Sequence, residues 1–214
     1  MNVEPAITLT TPHEDRDFSE WHGGIAQYAF WAVPVDGPAW HALFEAARVH
    51  VAPFVHDNYR RAPHITLAAA GLLDERDAAP ARLQRQAAAL RQARIAAFDL
   101  HAGPMDSFTS SPYVAIEDPM GALHAIREVL ASVSAEDSPS RYRPHLTVGL
   151  YAAAYEFKSV MRLVQAFEHR DLPPLRVDEV MLCAYATHDI QGPYAVLERV
   201  ALTPPCATAM SSRR

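Results

Sequence analysis

One feature constrains this chain more than any other. A Pro-His-x-Thr tetrad occurs twice, as Pro63-His64-Ile65-Thr66 and as Pro144-His145-Leu146-Thr147, with the two histidines 81 positions apart. Along a β-strand successive side chains alternate between faces. Each tetrad read as a strand therefore puts His and Thr on one face. Ile65 with Leu67, and Leu146 with Val148, fall on the other. The second face is apolar and belongs against helices. The first carries imidazoles and hydroxyls, which need partners or an open cleft.

The rest of the chain supplies the elements such a sheet requires. Residues 25–35 are aromatic and branched and predict a strand ending at Pro34. Trp40, Leu43, Phe44, Ala47 and Val51 recur at helical spacing after Pro38. Helices are also predicted over 80–93, 120–133 and 155–169. Further strands are predicted over 95–100, 113–116, 175–186 and 194–202, with a polar turn at 105–111. The order is strand, helix, His-Thr strand, helix, strand, strand, then helix, His-Thr strand, helix, strand, strand, so the two halves have similar contents. This is the signature of an internal duplication with largely antiparallel strands. Residues 1–20 are polar and read as a loose arm able to order against the body. Residues 21–203 read as one bilobal domain, and 204–214 as a disordered tail.

Composition removes several classes. A net charge of −6 argues against a dedicated nucleic-acid coat. Apolar runs fall short of the roughly 18 residues of a membrane span. Two cysteines, Cys183 and Cys206, form neither a disulfide framework nor a zinc knuckle. No secretory leader is legible at the N-terminus. A soluble cytoplasmic protein, acting as a monomer and without cofactor or metal, is the expectation.

A single strand histidine is most often structural. Two copies in the same local frame point instead to chemistry. In-line attack at phosphorus needs a proton acceptor on the entering oxygen and a donor on the leaving one. Histidine titrates near neutrality, so a neutral and a protonated copy can coexist. The threonine hydroxyls can donate to the non-bridging oxygens, where transition-state charge accumulates. Threonine is a poor metal ligand, and no third histidine or carboxylate shares the spacing.

On these motifs the sequence resembles the two-histidine (2H) phosphoesterases. The first strand, Tyr28-Ala29-Phe30-Trp31-Ala32-Val33-Pro34, is similar to the Tyr-x-x-Trp-Ala-x-Pro strand of plant cyclic phosphodiesterases. The chain also resembles the bacterial RNA 2′,3′-cyclic phosphodiesterases known as 2′-5′ RNA ligases. The resemblance implies an α+β fold of two pseudo-symmetric lobes, with antiparallel sheets facing a central cleft. It implies that His64 and His145 are catalytic and that Thr66 and Thr147 hold the phosphate. It further implies that His145 activates water while His64 protonates the leaving ribose oxygen, and that Trp31 walls the nucleoside. The implied activity is metal-independent opening of a 2′,3′-cyclic phosphate on a nucleotide or RNA end, leaving a 2′-phosphate. Two alternatives stay open. One is a non-catalytic module that binds a nucleotide or RNA end. The other is an enzyme for a different diester, such as a 2′-5′ linkage, an ADP-ribose cyclic phosphate or a lipid-like ester.

The chain departs from the ligase-type pattern at Leu150, where an arginine is usual. Tyr151 shares the parity of His145 and Thr147, and a strand running that far would turn it into the cleft to bind base or phosphate. Arg60, Arg61, Arg141 and Arg143 flank the tetrads and would attract an anion. Phe108, Ser110 and Ser111 are placed by element order where a lid could lie. Cys183 reads as inert core.

Overall fold

The computed structural model describes residues 7–74, 79–134 and 142–204. All its strand pairs are antiparallel, and they form one eight-stranded sheet. The strands are β1 (Gln27–Pro34), β2 (His64–Leu72), β3 (Phe98–Ser107), β4 (Pro112–Glu117), β5 (His145–Thr147), β6 (Leu175–Val177), β7 (Glu179–Ala186) and β8 (Tyr194–Ala201). Their order is β6-β3-β4-β5-β2-β1-β7-β8. The expected two lobes are the two halves of this order, four strands each, meeting at the β5–β2 seam. Exchanging the halves maps β2 onto β5, β1 onto β4 and β7 onto β3, which is the pseudo-symmetry the duplicated sequence predicts.

The helices are α1 (Ser19–His22), α2 (Pro38–Val51), α3 (Ala79–Ala93), α4 (Ala122–Val133) and α5 (Phe157–Gln165). They are exchanged between the halves. The α4 helix of the second half packs on α3 and β2, while α2 of the first half packs on α5. Trp40 of α2 donates its indole N–H to the Pro173 carbonyl at 3.0 Å, and His50 bonds the Leu163 carbonyl at 2.7 Å. One apolar core results. It takes Ala29, Trp31 and Val33 from β1, Ile65 and Leu67 from β2, and Leu146 from β5, all against the helices. Each such fully buried aliphatic side chain is worth about 1.5–3 kcal/mol.

Three boundaries differ from expectation, each for a local reason. The predicted turn at 105–111 is shortened to 108–111, because β3 continues to Ser107. Gly103 and Pro104 sit where the β3–β4 register shifts, between Ala102 and Met105. A bulge tolerates the missing proline N–H. The predicted strand over 175–186 is two strands in different lobes, since β6 pairs with β3 and β7 pairs with β1. Asp178 alone separates them, and its carbonyl accepts from Leu202 at 2.7 Å. Thr203, beyond β8, bridges Ala96, ahead of β3, so the lobes are tied a second time away from the seam. Finally, the helix predicted over 155–169 spans only Phe157–Gln165.

Residues 8–13 of the polar arm run along the second lobe. Leu9 bridges Glu156. The Thr10 hydroxyl donates to the Ala153 carbonyl at 2.9 Å, and His13 N–H donates to the Tyr151 carbonyl at 2.8 Å. The expected tail beyond Pro204 lies outside the described residues. Among the described residues, no helix is long and apolar enough to cross a membrane.

Candidate active site

The two motif strands are hydrogen-bonded neighbours at the centre of the sheet, with Ile65 opposite Leu146. An antiparallel register about that pair sets His64 beside Thr147 and Thr66 beside His145. The four polar side chains thus form a two-fold set on the face opposite the core. The apolar pair between them, Ile65 and Leu146, is fully buried against the helices.

Both histidines are oriented by the same device. Proline restricts the residue before it to extended backbone. In each motif the carbonyl of that residue accepts from the imidazole: His64 Nδ1 bonds Ala62 O at 2.8 Å, and His145 Nδ1 bonds Arg143 O at 2.7 Å. A carbonyl only accepts, so Nδ1 carries the proton, and in the neutral ring Nε2 holds a free lone pair. The proline carbonyls are matched as well. Pro63 O accepts from Val35 N–H at 3.3 Å and Pro144 O from Ile116 N–H at 3.1 Å.

The surroundings are not matched. His64 is only 6% exposed and is packed by Phe30, at 5.3 Å between ring centroids, and by Tyr194, at 5.1 Å. Burial pushes its pKa down to about 4, with Arg61 and His145 adding to the fall and the bond to Ala62 opposing it. His145 is half-buried, against Phe108 at 4.9 Å and Tyr113 at 5.4 Å. Its pKa is also lowered by burial, against the pull of the Arg143 carbonyl. Tyr113 donates to Asp106 Oδ2 at 3.1 Å. Thr66 and Thr147 are partly exposed. Among the described residues, no three His, Cys, Asp or Glu side chains gather as a metal-ligand set.

Two expected substrate contacts require correction. Trp31 cannot wall a nucleoside here. In β1, Pro34 pairs with His64 and Ala32 with Thr66, so the even positions face the site. Trp31 is fully buried on the helix side, its indole N–H donating to Gln86 Oε1 of α3 at 3.0 Å. Phe30 occupies the site face instead. Tyr151 does not reach the cleft either, because β5 ends at Thr147. Gly149 comes so close to Val55 that an added Cβ would meet its side chain at 3.0 Å, and there the chain peels away to bridge Val55 through Tyr151. The Tyr151 ring is fully buried and its hydroxyl is shared with Ser107 Oγ at 2.5 Å.

The flanking arginines separate too. Arg60 is tied to Asp189 Oδ2 at 2.5 Å, and Arg143 is exposed. Arg141 lies outside the described residues. Arg61 stacks over Tyr185, 3.9 Å from the ring centroid, and its buried Nε has no hydrogen-bond partner. Of the residues placed as a lid, Phe108 edges onto His145, whereas Ser111 is buried and its carbonyl accepts from Phe108 N–H. Cys183 lies buried behind Phe30, its thiol pushed up to about 12 by burial. Sequence reasoning missed Phe30, Tyr113 and Tyr194. Tyr113 carried a usable signal, since a strand pairing with the second motif must alternate as that motif does.

Comparison with known proteins bears on this arrangement. The family model described as the 2′-5′ RNA ligase superfamily matches residues 35–189. Among solved structures, E. coli LigT complexed with 3′-AMP superposes with a TM-score of 0.55 at 21% identity, covering 83% of this chain and 99% of that one. E. coli LigT complexed with NADP+ gives 0.52 at 19%, covering 83% and 98%. Kluyveromyces marxianus Usb1 gives 0.51 at 14%, also covering 83% and 98%. No curated protein sequence matches the chain. These superpositions show the fold, and the family model spans most of the chain: the protein belongs to the 2′-5′ RNA ligase superfamily, the two-histidine phosphoesterases.

Proposed function

We propose that the protein hydrolyses a 2′,3′-cyclic phosphodiester, on a nucleotide or an RNA end, to a 2′-phosphate. The observation that carries this reading is the two-fold set of His64, Thr66, His145 and Thr147 on one sheet face, with each imidazole anchored through Nδ1. Structures of LigT complexed with 3′-AMP, ATP and NADP+ superpose on this chain, which favours a nucleotide phosphate as ligand.

The cyclic phosphate sits between the two rings. One neutral Nε2 takes a proton from water as the water oxygen bonds to phosphorus. The P–O3′ bond breaks, and the other ring, protonated, gives its Nε2 proton to O3′. The threonine hydroxyls donate to the non-bridging oxygens throughout. No step draws on an added cofactor. After turnover the rings have exchanged protonation states and reset through solvent.

Burial supports a division of roles that is the reverse of the allocation family likeness implies. His64 is held neutral by its apolar packing and by Arg61, which suits the proton acceptor. His145 is more open to solvent, and an anionic phosphate beside it favours its cation, which suits the donor.

The test is turnover of adenosine 2′,3′-cyclic phosphate, with the product phosphate located by NMR. Wild type should yield the 2′-phosphate, with activity surviving EDTA. His64→Ala and His145→Ala should each lose at least about a hundredfold in kcat. Activity abolished by EDTA and restored by zinc would overturn the mechanism. Binding without product would favour the non-catalytic module.

A further inference from the structure

The described residues line an open pocket of about 350 Å³, with Phe18, Trp21, Arg61, Leu150 and Tyr185 among its walls. This lies within the ~300–1,000 Å³ typical of small-molecule sites. Two of its walls precede residue 35, where the family match begins: Phe18 of the N-terminal arm, and Trp21 directly after it in α1, which is counted with the arm. The pocket is therefore built by a segment that the shared fold does not supply.

Three observations converge on its use. First, aromatic rings run without a gap from the arm to the catalytic histidine. Trp21 lies 5.4 Å from Tyr28, Tyr28 5.5 Å from Tyr185, Tyr185 6.0 Å from Phe30, and Phe30 5.3 Å from His64. The pocket wall at Tyr185 is thus separated from His64 by one ring, that of Phe30. Second, Arg61 stands between the two. It touches Tyr185 on the pocket side and lowers the His64 pKa on the other. Among the described residues it has no carboxylate partner, and its Nε is buried unpaired. Third, three buried side-chain polar atoms are left unpaired among the described residues, and one of them belongs to the pocket-lining Arg61. They are Arg61 Nε, Asn58 Oδ1 and Oε1 of the fully buried Gln191, the residue next to pocket-lining Ile190. Buried polar groups without partners are rare in folded proteins and call for a ligand or water.

The arm is held in place for this task. Asp15 of the arm accepts from Asn58 Nδ2 at 2.9 Å and from Gln191 Nε2 at 3.3 Å. Gly23, at φ +56°, caps the short α1 that presents Trp21. Trp21 remains 42% exposed, which is a high value for so large an apolar ring. The chemistry of the wall is aromatic rings and one guanidinium whose buried Nε is unpaired. That combination suits a planar heterocycle with polar edges, because bases stack on aromatic rings and on arginine planes.

We infer that the N-terminal arm completes a nucleobase pocket beside His64, in which Trp21, Tyr185 and Arg61 receive the base of the nucleotide whose phosphate lies between the histidines. This rests on the reading of the histidine site as a nucleotide phosphate site. The arm then acts as the specificity element, favouring a phosphate that carries a base.

Calorimetric titration of the whole chain with adenosine 2′-phosphate and with methyl ribofuranoside 2-phosphate, which lacks the base, tests it. Wild type should bind the nucleotide at least about tenfold more tightly, as one base stack supplies. Trp21→Ala should collapse that preference to about twofold, and Trp21→Phe should keep most of it. Equal affinity of wild type for the two ligands, a preference that survives Trp21→Ala, or parallel loss of both ligands in that variant would each overturn the pocket. Turnover of the matching cyclic phosphates separates this from the reading beneath it. Base-dependent binding without hydrolysis sinks the hydrolase and leaves the pocket standing. Hydrolysis of both cyclic phosphates at equal kcat/KM sinks the pocket and leaves the hydrolase.

Discussion

The two half-sites of this protein start from one local device and end in different surroundings. In both, a proline precedes the histidine, the imidazole donates through Nδ1 to the carbonyl two residues back, and a threonine follows on the same face. What differs is the packing. Phe30 and Tyr194 close over His64, with Arg61 nearby. Phe108 and Tyr113 leave His145 half open. A duplicated motif fixes geometry, and the neighbours that each copy inherits from its own lobe then set its proton affinity. On the proposed reading, an acid and a base arise from identical residues in this way.

The largest effect that separates the two copies is leaving-group dependence. A cyclic substrate with sulfur in place of the 3′-oxygen needs no proton donor to expel its leaving group. On it, His145→Ala should recover to within about tenfold of wild type, while His64→Ala stays at least about a hundredfold down. The opposite pattern would restore the allocation that family likeness implies. Equal rescue of both would show that packing does not distinguish the rings.

Smaller and more symmetrical losses should follow from the hydroxyls. Thr66→Val and Thr147→Val should each lower kcat/KM about ten- to a hundredfold, the worth of one hydrogen bond to a charged oxygen. A loss confined to one of them would mean that the phosphate leans on a single lobe.

How much of this was legible beforehand varies by residue. The shared face of His64 and Thr66, and of His145 and Thr147, follows from period-two alternation and needs no fold. That β2 and β5 are neighbours has no local signal, because the pairing joins segments 81 positions apart. Trp31 illustrates a sharper limit. Both faces of β1 are apolar, with Tyr28, Phe30 and Ala32 on one and Ala29, Trp31 and Val33 on the other. Hydropathy alone cannot say which faces the site; the Pro34–His64 pairing does. Tyr151 failed for a different reason, since the end of β5 is set by the contact of Gly149 with Val55, far away in sequence. The arm's polar composition likewise conceals that its backbone is bound by the second lobe.

A further expected difference is in stability. The His64 pKa of about 4 in the folded chain lies below its ordinary 6.5, so the unfolded chain binds the proton more readily between these values. The stability this residue contributes is complete above pH 6.5. It falls by on the order of 3 kcal/mol as the pH drops toward 4, and falls no further below that. Denaturant unfolding across this range should show a shallower acid loss in His64→Gln than in wild type. His145→Gln should flatten the curve in the same sense and by less. An unchanged curve in His64→Gln would mean that its burial costs the cation nothing.

The central claim is that both imidazoles meet one phosphate. Proton NMR of the two histidine C2–H resonances, assigned with the Gln variants and followed through a titration with adenosine 2′-phosphate, tests it most directly. Both resonances should move along one saturation curve ending at one equivalent, and both pKa values should rise on binding. A response from only one ring, or two separate curves for two equivalents, would contradict it.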